Sequence, residues 1–84
     1  MKKYEVCLWT ADWCGPCQIL KGWMEESHPH IPIKDIDRNK KDLPAEPQIL
    51  TVPALQVTKG DKTEVFAGIM PIRKHLDEKG GNYE

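Results

Sequence analysis

Apolar and polar residues change rhythm several times along this chain. Tyr4 to Trp9 gathers aromatic and β-branched residues and predicts a strand. From Cys17 to about Ser27 the rhythm turns helical. Ile19, Leu20, Trp23 and Met24 are spaced to share one face, while Lys21 and Glu25 point away. Pro29 stops that helix at His28. Ile31 to Asp37 reads as a second strand, with Ile33 and Ile36 on opposite sides, as a strand covered on both faces requires. Arg38 to about Leu43 predicts a short helix, limited by Pro44 and Pro47. Ala54–Thr58 and Thr63–Ala67 are two more strands, with Lys59-Gly60-Asp61-Lys62 as the hairpin signal between them. Pro71 opens a last helix carrying Ile72 and Leu76. Gly80-Gly81 closes it, and 82–84 is a frayed end.

The order strand–helix–strand at the start implies a parallel pair with a right-handed crossover. The closing hairpin adds antiparallel strands. The expected fold is α/β: a four-stranded mixed sheet, two parallel strands plus an antiparallel hairpin, flanked by three helices on both faces. With 84 residues, positions 1–84 make one domain.

Composition narrows the function classes. Formal net charge is -1, with acids and bases interspersed and no basic run, so a nucleic-acid partner is not expected. No apolar run approaches the ~20 residues that cross a bilayer, so no membrane role is expected. The opening Met1-Lys2-Lys3-Tyr4-Glu5 is too polar for a secretion signal, and the expected location is cytoplasmic. A monomer is expected. Three cysteines are an odd number and make no complete disulfide framework. In a cytosolic protein a close cysteine pair points to catalysis or metal before structure.

That pair is Cys14 and Cys17, behind Trp13. Cys14 stands where a strand has ended and a helix begins. Unpaired N–H groups and the positive end of the helix dipole converge there, which stabilises a thiolate and brings its pKa below ~8.5. Cys17 lies about one turn further in and is expected to be more buried. Pro16 has its φ preset for a first helical turn and lacks an N–H that would need a partner. Gly15 lets a substrate backbone approach, and Trp13 offers a flat apolar surface beside the sulfur. A metal would need further ligands. His28 and His30 lie past the far end of the helix, about 16 Å from its start at 1.5 Å per residue, too far to share an ion with the pair. His75 is not placed by the sequence, so the metal reading stays open here. Cys7, inside the first strand, suits a buried structural thiol. Lys40-Lys41 and Glu25-Glu26 read as solvated surface.

Trp13-Cys14-Gly15-Pro16-Cys17 resembles the thioredoxin superfamily, whose active-site motif these five residues match. Thr51-Val52-Pro53 resembles the second hallmark, where a cis-proline faces the cysteine pair and the preceding residue's backbone binds extended substrate. Gly68 matches a family glycine lining the same groove. Element order and spacing agree over nearly the whole chain. The resemblance implies a thioredoxin-like fold and a protein dithiol–disulfide oxidoreductase. Cys14 is then the nucleophile and Cys17 the resolving cysteine, while Trp13, Gly15, Pro16, Val52, Pro53 and Gly68 bind substrate. A redox-active Cys14–Cys17 disulfide would serve without cofactor or metal. Clients would be disulfide-containing proteins, ribonucleotide reductase among them. Thioredoxin reductase or glutathione would supply electrons.

The chain also departs from the pattern. The usual extra strand and helix do not precede Tyr4, and the length is that of a glutaredoxin. Yet glutaredoxins usually carry Cys-Pro-Tyr-Cys, and a glycine pair followed by an acidic or small polar residue that holds glutathione. Here that region reads Ala67-Gly68-Ile69-Met70-Pro71. The chain is similar to the compact, glutaredoxin-sized thioredoxins of phages and some prokaryotes. Family thioredoxins bury an aspartate beneath the pair. That position is Leu8 here, and Asp12 is expected to be solvated. Gln18 replaces the lysine that usually follows the second cysteine. A glutathione-dependent glutaredoxin and a non-catalytic binding subunit of the same fold are the alternatives.

Overall fold

The computed structural model describes residues 4–44 and 48–79. Strand β1 spans Tyr4–Thr10, helix α1 Gly15–Ser27, β2 Ile33–Asp35, β3 Ala54–Lys59, β4 Lys62–Ala67 and α2 Ile69–Lys79. The sheet order is β2-β1-β3-β4. β1 and β2 are parallel, with Leu8 opposite Ile33. The other two pairings are antiparallel, with Leu8 opposite Leu55 and Leu55 opposite Phe66. The mixed sheet read from the sequence is present. Gly60, with φ +63, leads the two-residue hairpin loop, a backbone conformation that glycine adopts without steric cost.

The helices differ from expectation in number and placement. Among the described residues there are two α-helices, not three, and both lie on one face. Leu8, Leu55 and Val57 share that face, and their cluster includes Leu20 and Met24 of α1 and Ile72 and Leu76 of α2. The expected middle helix is one 3-10 turn, Lys40–Asp42. Pro44 forces Leu43 into an extended conformation, φ -64 and ψ 137, which ends the turn. β2 is also shorter than read. Asp35 Oδ1 accepts the N–H groups of Asp37 at 2.8 Å and Arg38 at 3.1 Å, so the chain turns out of the sheet there. Pro47, Gly80-Gly81 and 82–84 lie outside the described residues.

α1 buries Cys17, Leu20 and Met24. Ile19 is instead 71% exposed. At about 100° per residue, a stripe that must include Cys17 is centred well away from Ile19. α2 begins at Ile69, two residues before Pro71. Pro71 sits in the first turn, where N–H groups have no intrahelical partner to lose.

The other face of the sheet carries Cys7, Trp9, Gln56 and Thr58. Trp9 is buried there without a helix: its indole N–H donates to Gln56 Oε1 at 2.8 Å, and Lys34 Nζ lies 5.8 Å from the ring centre. A cavity of about 510 Å³ runs along these residues. Cys7 is half-buried in it, not fully buried as read. Burial pushes its thiol up, Lys34 works against that, and Asp42 adds to it.

Candidate active site

β1 delivers the chain to the site through buried Thr10 and Ala11. Ala11 O accepts the Cys14 N–H at 3.1 Å, which closes a turn. Cys14 then caps α1: its Sγ accepts the Cys17 N–H at 3.3 Å. Capping side chains satisfy N–H groups that the first turn leaves unpaired, and sulfur fills that role here. Pro16 is at the second helical position, so one unpaired N–H is removed outright. Negative charge on Cys14 Sγ would face the positive end of the helix. Cys14 and Cys17 form a disulfide with Cα atoms 5.3 Å apart. Cys14 keeps 7% exposure and Cys17 none, so an outside group meets Cys14 first.

The second wall comes from the segment before β3. The Val52–Pro53 bond is cis. The Val52 carbonyl oxygen lies 3.6 Å from Cys14 Sγ. Gly68 donates its N–H to Pro53 O at 2.9 Å and has φ +94, a region that favours glycine. Three segments distant in sequence therefore meet at one sulfur. Trp13 is 69% exposed beside it. Gly15 and Pro16 are exposed, Val52 is half-buried and Pro53 is buried. A Cβ on Gly15 would meet nothing within 4 Å, so that side of the sulfur is open to an approaching chain.

A thioredoxin family model matches residues 1–78. The chain belongs to the thioredoxin family. It is a thiol–disulfide oxidoreductase. Thioredoxins of Equus caballus and Ovis aries are each 29% identical to it over 72 residues, covering 80% of this chain and 69% of theirs. The fold is shared with oxidised thioredoxin from Plasmodium falciparum, with TM-score 0.73 at 19% identity, covering 93% of this chain and 82% of that one. Thioredoxin O1 from Arabidopsis thaliana gives TM-score 0.57 at 21% identity, covering 98% and 79%.

As a thioredoxin family member the chain has apolar packing under its cysteines. Ala11, Ile36 and Val52 surround them. Thr10 is the one buried polar or charged side chain among the described residues, so no fully buried carboxylate lies there. Leu8 has gone to the main core. His28 and His30 sit past the far end of α1, with ring centres 6.1 Å apart and His28 edge-on to Trp23. His75 stacks on Phe66 at 4.2 Å. Among the described residues no three His, Cys, Asp or Glu side chains are grouped to hold a metal ion.

The turn after β2 joins the site, which the sequence reading misses. Trp13 Nε1–H donates to Asp37 Oδ2 at 3.0 Å, and Arg38 Nη2 donates to Asp12 Oδ2 at 2.9 Å. The run Asp35-Ile36-Asp37-Arg38 signals an Asx turn. Its partners, 24 and 26 residues away, are not written in it. Asp35 organises the turn. Burial works to raise its carboxyl, but the N–H groups of Arg38 and Asp37 and the Arg38 charge outweigh it and hold the group below its ordinary value. A carboxyl lowered on folding adds stability above its unfolded pKa, near ~3.9, and that contribution is lost as pH falls through the folded value. Asp35→Asn is therefore expected to flatten the acid limb of a urea-midpoint-against-pH curve. An acid limb identical to wild type would refute it.

Proposed function

We propose that this chain reduces disulfides in client proteins. A client segment docks in extended form against Trp13, Gly15, Pro16, Val52, Pro53 and Gly68, with main-chain hydrogen bonds to Val52. The Cys14 thiolate attacks one client sulfur; the other client sulfur leaves as a thiolate, and a mixed disulfide forms. Cys17 then loses its proton to water and attacks Cys14 Sγ. The remaining client sulfur leaves. Two electrons have passed to the client, and the Cys14–Cys17 disulfide remains.

One observation carries this reading: Cys14 Sγ caps α1 at the rim of the site, beside the Val52 carbonyl, with Cys17 sealed behind it. Gly-Pro between the cysteines resembles the reducing members, near ~-270 mV. Thioredoxin reductase is the proposed electron source, because 67–71 offers no acid to hold glutathione. Ribonucleotide reductase is a client the family suggests. A monomer in the reducing cytoplasm fits this chemistry, and the unpaired thiol of Cys7 supports that location.

Insulin reduction tests the reading with two electron sources run separately. Turnover is expected with NADPH and thioredoxin reductase. Turnover with glutathione alone would make the chain a glutaredoxin. No turnover with either, together with client binding that survives loss of both cysteines, would make it a binding subunit.

A further inference from the structure

Cys14 has ionic neighbours on one side only. Asp12 lies two residues before it, and its Oδ2 accepts from Arg38 Nη2 at 2.9 Å. The turn after β2 presents Arg38, and Asp35 Oδ1 fixes its backbone by accepting the Arg38 N–H at 3.1 Å. Asp37, in the same turn, accepts from Trp13. The residues packed against the cysteines are Ala11, Ile36 and Val52, none of them charged. Positions 48–53 and 67–71 contain no ionisable side chain, and the first charge on α1 is Lys21, about two turns in. Lys34 faces the opposite side of the sheet, toward Trp9 and Asp42. The charged surroundings of the sulfur are thus the carboxylates of Asp12, Asp35 and Asp37 and the guanidinium of Arg38.

We propose that Arg38 is a positioning residue that tunes Cys14 through charge, by compensating the Asp12 carboxylate beside the active-site loop. The proposal rests on Cys14 being the nucleophile. An uncompensated carboxylate disfavours a thiolate near it, and charges within about 8 Å are little screened at physiological ionic strength. Both side chains are largely exposed, so the pair adds little to the stability of the fold. Its effect is on reactivity.

The test is iodoacetamide alkylation of the fully reduced chain from about pH 5 to 9, read at Cys14 by mass spectrometry. Arg38→Ala is expected to move the midpoint up and slow alkylation about two-fold below it. Asp12→Asn is expected to move it down. The double variant returns close to wild type, and Arg38→Lys keeps the wild-type profile. In about 1 M salt, where screening reaches ~3 Å, the differences collapse. A purely structural tie, broken from either end, would move both single variants in the same direction. That result, or two unmoved profiles, overturns the proposal. A wild-type Cys14 that alkylates like an ordinary thiol overturns its assignment as nucleophile, and the proposal falls with it.

Discussion

Cys14→Ser is expected to end disulfide reduction, with insulin turnover falling roughly a thousandfold or more. The reaction needs a sulfur that can enter a mixed disulfide, and a serine oxygen cannot. Cys17→Ser should fail differently. Cys14 remains at the rim of the site with 7% exposure, so the first attack proceeds. The buried sulfur that would release the client is gone. A covalent complex with a disulfide client should then accumulate on a non-reducing gel and vanish on adding dithiothreitol. If Cys14→Ser trapped the client instead, the roles of the two cysteines would be reversed.

Leu8→Asp is expected to be the most damaging single change to the fold. Leu8 is fully buried in the central strand, clustered with Leu20, Met24, Leu55 and the α2 residues Ile72 and Leu76. Removing a buried leucine side chain costs about 2–5 kcal/mol, against a total stability of about 5–15 kcal/mol for a small domain. The new carboxyl adds a second cost. Burial would raise its pKa on folding, so the penalty is smallest below its unfolded value, near pH ~3.9, and grows as pH rises toward the folded value. The gap between variant and wild-type urea midpoints should widen from about pH 4 to pH 7. Equal midpoints at pH 7 would show that the site around Leu8 accepts a charge, as the family's buried aspartate does.

The same residue shows what a sequence conveys. A leucine in a β-rich run is legible as core, because strand alternation and hydrophobicity act within a few residues. The strands and hairpin were readable for that reason, and so was the placement of Cys14 between strand and helix. Ile19 was misread because helical spacing gives relative angles and not the direction of the core. Cys17 had to be inside, and that turned Ile19 outward. The middle helix was misread because Asp35 takes the N–H groups of Asp37 and Arg38, and Pro44 then cuts off what remained.

By itself, the amino-acid order determined the chemistry and its local setting: two thiols one helical turn apart, a proline and glycine between them, and a helix start that favours a thiolate. Those features depend on neighbouring backbone groups, whose geometry follows from residue type. Tertiary structure alone decided that Val52 and Gly68 close on Cys14, that both helices cover one face, and that Asp37 and Arg38 reach Trp13 and Asp12. Such contacts join segments 24 or more residues apart. Their geometry comes from strand register and from packing of the whole core, to which no local run of residues holds the key.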